Sequence, residues 1–144
     1  MKTLTLFFAL FLLSFTSDHT CGDAKVYANR KQTQYDNRFD NYPKIDGVPK
    51  FKGGEKKLDQ FVQDNIVLSD VAKTQVYNLN YKFTVTCDGK IEDVIQIGDP
   101  KADDWTNIGE VIHQTEGKWK PAIQNGKPVD CVYFNRTFLN GSRY

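Results

Sequence analysis

The clearest hydrophobic pattern lies mid-chain, where Leu79, Tyr81, Phe83, Val85 and Cys87 alternate with Asn78, Asn80, Lys82, Thr84 and Thr86. Strict alternation predicts a strand with one face on a core and the other in water. Asp88-Gly89 follows as a hairpin signal. Ile91, Ile95 and Ile97 then read as the return strand, with Val94 out of phase and predicting a bulge. Upstream, Leu58, Phe61, Val62 and Ile66 recur at helical spacing and predict a helix over residues 55–68. Gly53-Gly54 lets the chain turn into that helix, and Glu55 favours its positive end. Trp105, Ile108, Val111 and Ile112 mark a second helix, with Asp103-Asp104 as its cap and Gly117 as its stop. After a loop from Trp119 to Pro128, a last strand runs from Val129 to about Phe138. The order helix, strand, strand, helix, strand implies an α+β fold, in which a three-stranded antiparallel sheet carries two helices on one face.

The N-terminus has a different pattern. After Met1-Lys2, the stretch Leu4–Phe15 is apolar except for Thr5 and Ser14. It falls short of the roughly 20 residues that a spanning helix needs, and it reads as a signal peptide over residues 1–20, with cleavage between Thr16 and Ala24. Retention of the stretch as a membrane anchor is the alternative. Residues 21–47 show neither hydrophobic period and predict a flexible arm; residues 48–144 form the domain. Export places the cysteines in an oxidising compartment, where pairs form disulfides. Cys21, close to the cut, is open to removal, to acylation as a lipid anchor, or to remaining a free thiol; Asp18 and Thr20 fit an acylation signal poorly.

Charge adds mostly exclusions. Lys and Arg number 19 and Asp and Glu 18, so the chain has no overall basic field for nucleic acid. Ten Phe and seven Tyr indicate a packed fold. The two histidines, His19 and His113, have no partners at metal or catalytic spacing, and no nucleophile elbow, phosphate loop or paired-cysteine motif occurs. Trp119 between Lys118 and Lys120 reads as a core-packed loop residue flanked by solvated lysines rather than a stacking platform. Asn135-Arg136-Thr137 and Asn140-Gly141-Ser142 match the glycosylation sequon. No catalytic residue, metal or cofactor is expected.

Pro49-Lys50-Phe51-Lys52-Gly53-Gly54-Glu55 opens the domain; Trp119-Lys120-Pro121 and Gln124-Asn125-Gly126-Lys127-Pro128-Val129 close it, with Asp88-Gly89-Lys90-Ile91 between. Over residues 48–138 this set resembles the C-terminal domain of the TonB energy transducers. The resemblance implies a non-enzymatic, bacterial protein that binds partners by β-strand addition at an edge formed by its last strand, here Val129, Asp130, Cys131, Val132, Tyr133 and Phe134. It implies an outer-membrane transporter segment as partner, a possible homodimer, and a periplasmic or secreted setting. In the TonB-like sheet the first and last strands are antiparallel neighbours, which implies a Cys87–Cys131 disulfide. The family's proline-rich spacer is missing, since the arm holds only Pro43. The expected function is therefore an exported binding module, with a shortened, membrane-anchored transducer as the alternative.

Overall fold

A computed structural model of the chain describes residues 21–22, 25–29, 45–98 and 100–144. The apolar stretch Leu4–Phe15 and most of the expected arm lie outside the described residues. The fold is α+β. Its centre is the antiparallel pairing of β3 (Val76–Val85) with β7 (Lys127–Asn140), in register from Val76↔Asn140 to Val85↔Cys131. The alternation read from sequence sets the two faces of this pair. Leu79, Tyr81, Phe83 and Val85, with Cys131, Tyr133 and Leu139, enter the core. The other face exposes Val76 and Phe138, and on the neighbouring β4 (Ile91–Ile97) Ile95 and Ile97.

β4 pairs antiparallel with β3, and the register slips between Lys82 and Thr84. The slip is the expected bulge, and Asp93 takes it up with a φ of 52°. The β3–β4 connection is longer than the two-residue hairpin that Asp88-Gly89 signals. Thr86 N–H donates to Lys90 O at 3.0 Å, and Lys90 N–H donates to the Thr86 hydroxyl at 2.9 Å, so Thr86 and Cys87 leave the strand.

α1 (Glu55–Asn65) covers the core face with Leu58 and Val62, and α3 (Ile108–His113) does so with Ile108, Val111 and Ile112. The second helix is shorter than its sequence predicts. Residues 100–105 form a 3-10 segment, and Asn107 takes the N-cap position, not Asp103-Asp104. The Asn107 side chain accepts Val67 N–H at 2.8 Å and ties the two helical regions together. Past His113 the helix unwinds through i→i+3 bonds to Gly117, at a φ of 76°. A short α2 (Asp70–Lys73) is capped by Ser69, whose hydroxyl accepts Ala72 N–H.

Four further strands complete the fold. β1 (Lys25–Asn29) and β6 (Ala122–Gln124) both pair with β7, while β2 (Lys50–Phe51) pairs with β5 (Trp119–Lys120). The main sheet therefore reads β1-β7-β3-β4 and is mixed, because β1 runs parallel to β7. The three expected antiparallel strands are present, with a fourth laid beside the last. Trp119 joins the two layers. Its ring sits 5.3 Å from Phe83, 5.4 Å from Phe51 and 5.4 Å from Tyr133, and its indole N–H donates to buried Thr115 at 2.9 Å. Fully burying an aromatic of this kind contributes about 2–3 kcal/mol, with roughly 1 kcal/mol more per ring pair.

Candidate strand-docking site

The last strand is not an edge where partner binding was expected. Residues 130–134 pair with β1 from Lys25↔Asp130 to Asn29↔Phe134, while β3 pairs with 131–140 on the other side. Val129 is taken by β6, opposite Ala122. The expectation of a bare acceptor edge over Val129–Phe134 is thus corrected, because part of the expected arm has become a strand. Val26 and Ala28 point into the core and are almost wholly buried, which repays the ordering of β1. Lys25 and Tyr27 face the other side, and Lys25 reaches Asp93 at 3.5 Å, an exposed pair that contributes little. No strong sequence signal marks β1; two small or branched apolar residues at alternate positions make too short a pattern.

The six expected contact residues divide by parity. Val129, Cys131 and Tyr133 belong to the core cluster. Asp130, Val132 and Phe134 face the opposite side, and the Asp130 carboxylate accepts Cys87 N–H at 2.9 Å. That bond fixes the β3–β4 turn against the start of β7.

The disulfide joins Cys21 to Cys87, with Cα atoms 5.7 Å apart, and Cys131 is free. The expected Cys87–Cys131 pairing is therefore corrected. The strands are antiparallel neighbours as the resemblance implied, but the register sets Cys131 opposite Val85, and Cys87 lies two residues farther on, in the turn. Cys21 reaches Cys87 because Gly22 N–H donates to Pro128 O at 2.9 Å, docking the chain just before β1. Gly22 is needed for this approach: a Cβ there would stand 2.7 Å from the Val129 side chain. A sulfur in a disulfide cannot also carry an acyl group, so the oxidised chain has no lipid anchor at Cys21. Burial pushes the Cys131 thiol up to about 12, which keeps it protonated and inert at neutral pH.

The strand slot is therefore defined by β7 on one side, by a core that accepts small apolar side chains at alternate positions, and by a disulfide at its mouth. Two edges of the main sheet remain among the described residues, β1 and β4. β4 is bulged at Asp93 and carries exposed Glu92, features that disfavour further pairing. No group of three or more His, Cys, Asp or Glu residues among those described is placed to hold a metal ion. His113 is exposed at the end of α3, and Trp119 has its ring inside the core rather than open for stacking. Among the described residues, no helix is long and apolar enough to cross a membrane. Comparison with known protein families, curated proteins and solved structures gives no match.

Proposed function

We propose that the chain is an exported protein-binding module of the cell envelope, which takes an extended partner segment as an added strand beside β7. One observation carries this reading: β7 already holds such a strand. β1 lies far away in sequence, runs parallel, and joins through backbone pairing plus two inward side chains, Val26 and Ala28. Strand addition has this form, with main-chain bonds giving affinity and alternate side-chain positions giving specificity. The preferred partner segment is therefore extended, about five residues long, with small or branched apolar residues at two alternate positions. The TonB-like signatures support the same reading and point to an outer-membrane transporter segment. The Leu4–Phe15 pattern and the Cys21–Cys87 disulfide support export to an oxidising compartment.

The test supplies the strand in trans. A tether holds β1 at an effective concentration on the order of millimolar, so the native chain resists exchange. The full-length chain carrying Cys21→Ser and Val26→Asp lacks the disulfide and the Val26 side chain that hold β1 in place, and keeps only the backbone connection. A synthetic peptide copying residues 22–30 is expected to raise its melting temperature and protect the amides of residues 130–134 from hydrogen exchange. The same peptide with Val26→Asp is expected to do neither. If the double variant does not fold alone, the Cys21→Ser chain is used with the same readouts. Absence of any effect from the native-sequence peptide in both chains rejects the proposal.

A further inference from the structure

The ribbon of β2 and β5 plays no part in the strand slot. Lys50 stands opposite Lys120 and Phe51 opposite Trp119. Lys52 N–H donates to Lys118 O at 2.8 Å, which extends the register by one pair. Alternation then separates the side chains. Phe51 and Trp119 turn into the core, while Lys50 and Lys120 stand exposed on the other face; Lys52 and Lys118, one residue beyond the two strands, are exposed as well. Lys50 and Lys120 are a like-charge pair directly opposite one another, an arrangement that destabilises a ribbon, and Lys52 and Lys118 add two more positive charges beside it.

Nothing within the described residues neutralises it. None of the four lysines is within ion-pair distance of a described carboxylate; Lys118 instead holds its ammonium 4.4 Å from the centroid of the Phe61 ring. The nearby Glu116 carboxylate is turned away and accepts Ile91 N–H at 3.4 Å. Gly53 and Gly117 flank the lysines, and together with Phe51 and Trp119 these residues line a groove of about 500 Å³. A chain whose overall charge is +1 thus concentrates four positive charges on one short ribbon.

The geometry points to a second binding surface here, for an acidic peptide segment lying extended along β2 and β5 with carboxylates at alternate residues. Lys50 and Lys120 lie on the paired strands, and Lys52 and Lys118 lie one residue beyond them, a separation of up to about 6.8 Å from their strand neighbours. Alternate side chains of an extended peptide repeat at the same distance, so two carboxylates can meet two lysine pairs. The surface is concave and shows no exposed aromatic or aliphatic residue among the lysines, which disfavours a bilayer. The indole face is inside the core, which disfavours a single-stranded nucleic acid.

The test uses the full-length oxidised protein and a fluorescent peptide of alternating Glu and Ser, read by polarisation. A Gln-for-Glu peptide, phosphatidylglycerol vesicles and single-stranded DNA serve as competing probes. Binding of the Glu peptide is expected, and it should weaken as salt shortens the Debye length from about 10 to about 3 Å. Lys50→Glu combined with Lys120→Glu is expected to weaken it by about tenfold or more, while Lys73→Glu on α2 leaves it unchanged. Lys120→Glu alone replaces a like-charge pair with an opposite-charge one, so its melting temperature should hold or rise while binding falls. A merely structural role for the lysines predicts the reverse. No binding of the Glu peptide, binding insensitive to the double reversal, or lysine-dependent binding only of vesicles or DNA overturns the inference.

Discussion

At the residue scale, Cys131 is the most informative side chain. It sits in the core opposite Val85, and burial lifts its thiol from an ordinary 9.0 to about 12. The folded state therefore keeps this proton after the unfolded chain has lost it. Its contribution is complete below about pH 9 and is lost as pH rises toward 12. Tyr77, raised mainly by its burial and further by Tyr144, adds to the same alkaline loss. Denaturant melts at about pH 8 and about pH 10 are expected to show lower stability at the higher pH, with a shallower drop in Cys131→Val. Iodoacetamide is expected to leave Cys131 unmodified in the native protein and to label it after unfolding. Gly141 is the tightest backbone position. A Cβ there would come within 2.2 Å of Ala72 O and 2.6 Å of two Lys73 backbone atoms, so the strain falls on main chain that cannot swing aside. Gly141→Ala is expected to cost about 1–3 kcal/mol in a denaturant melt.

At the scale of elements, the long periodic segments were legible. α1, β3 and the bulged β4 lie where Leu58–Ile66, Leu79–Val85 and Ile91–Ile97 put them. The misses have specific causes. α3 starts after a 3-10 turn because Asn107, engaged with Val67, takes the cap position. Asn125-Gly126 is the same kind of hairpin signal as Asp88-Gly89, yet it lies inside the stretch read as a loop. Both residues have positive φ, 50° and 73°, and join Gln124↔Lys127 in a two-residue turn between β6 and β7. Gly126→Val is expected to destabilise by about 1–2 kcal/mol, read by thermal melting, because a branched residue is strained there. β1 was illegible because its pairing depends on a disulfide and a register that local pattern does not carry. The candidate site was legible on only one of its two sides: the last strand could be read, but not the strand that covers it.

For the whole molecule, the Cys21–Cys87 link spans 66 residues of chain. A loop of that size contributes at most about 4 kcal/mol in the chain-entropy picture. Non-reducing peptide mapping is expected to recover the Cys21–Cys87 peptide with Cys131 alkylatable only after denaturation. Cys21→Ser is expected to lower the melting temperature and to speed hydrogen exchange at residues 25–29 more than in β3. Equal acceleration everywhere would show that β1 does not open on its own.

The central strand β7, which gathers β1, β3 and β6, follows all three in the chain. β1 and β3 do not pair with each other; each pairs with β7, which lies between them. During synthesis from the N-terminus, both wait for residues 127–140 before the sheet can close. Contacts this distant in sequence slow folding. Until they form, β1 and β3 present open backbone edges, so the covalent hold of Cys21 on Cys87 matters most before β7 is in place. A nascent chain halted before Lys127 has the helices and hairpin of this fold but no sheet centre to gather them.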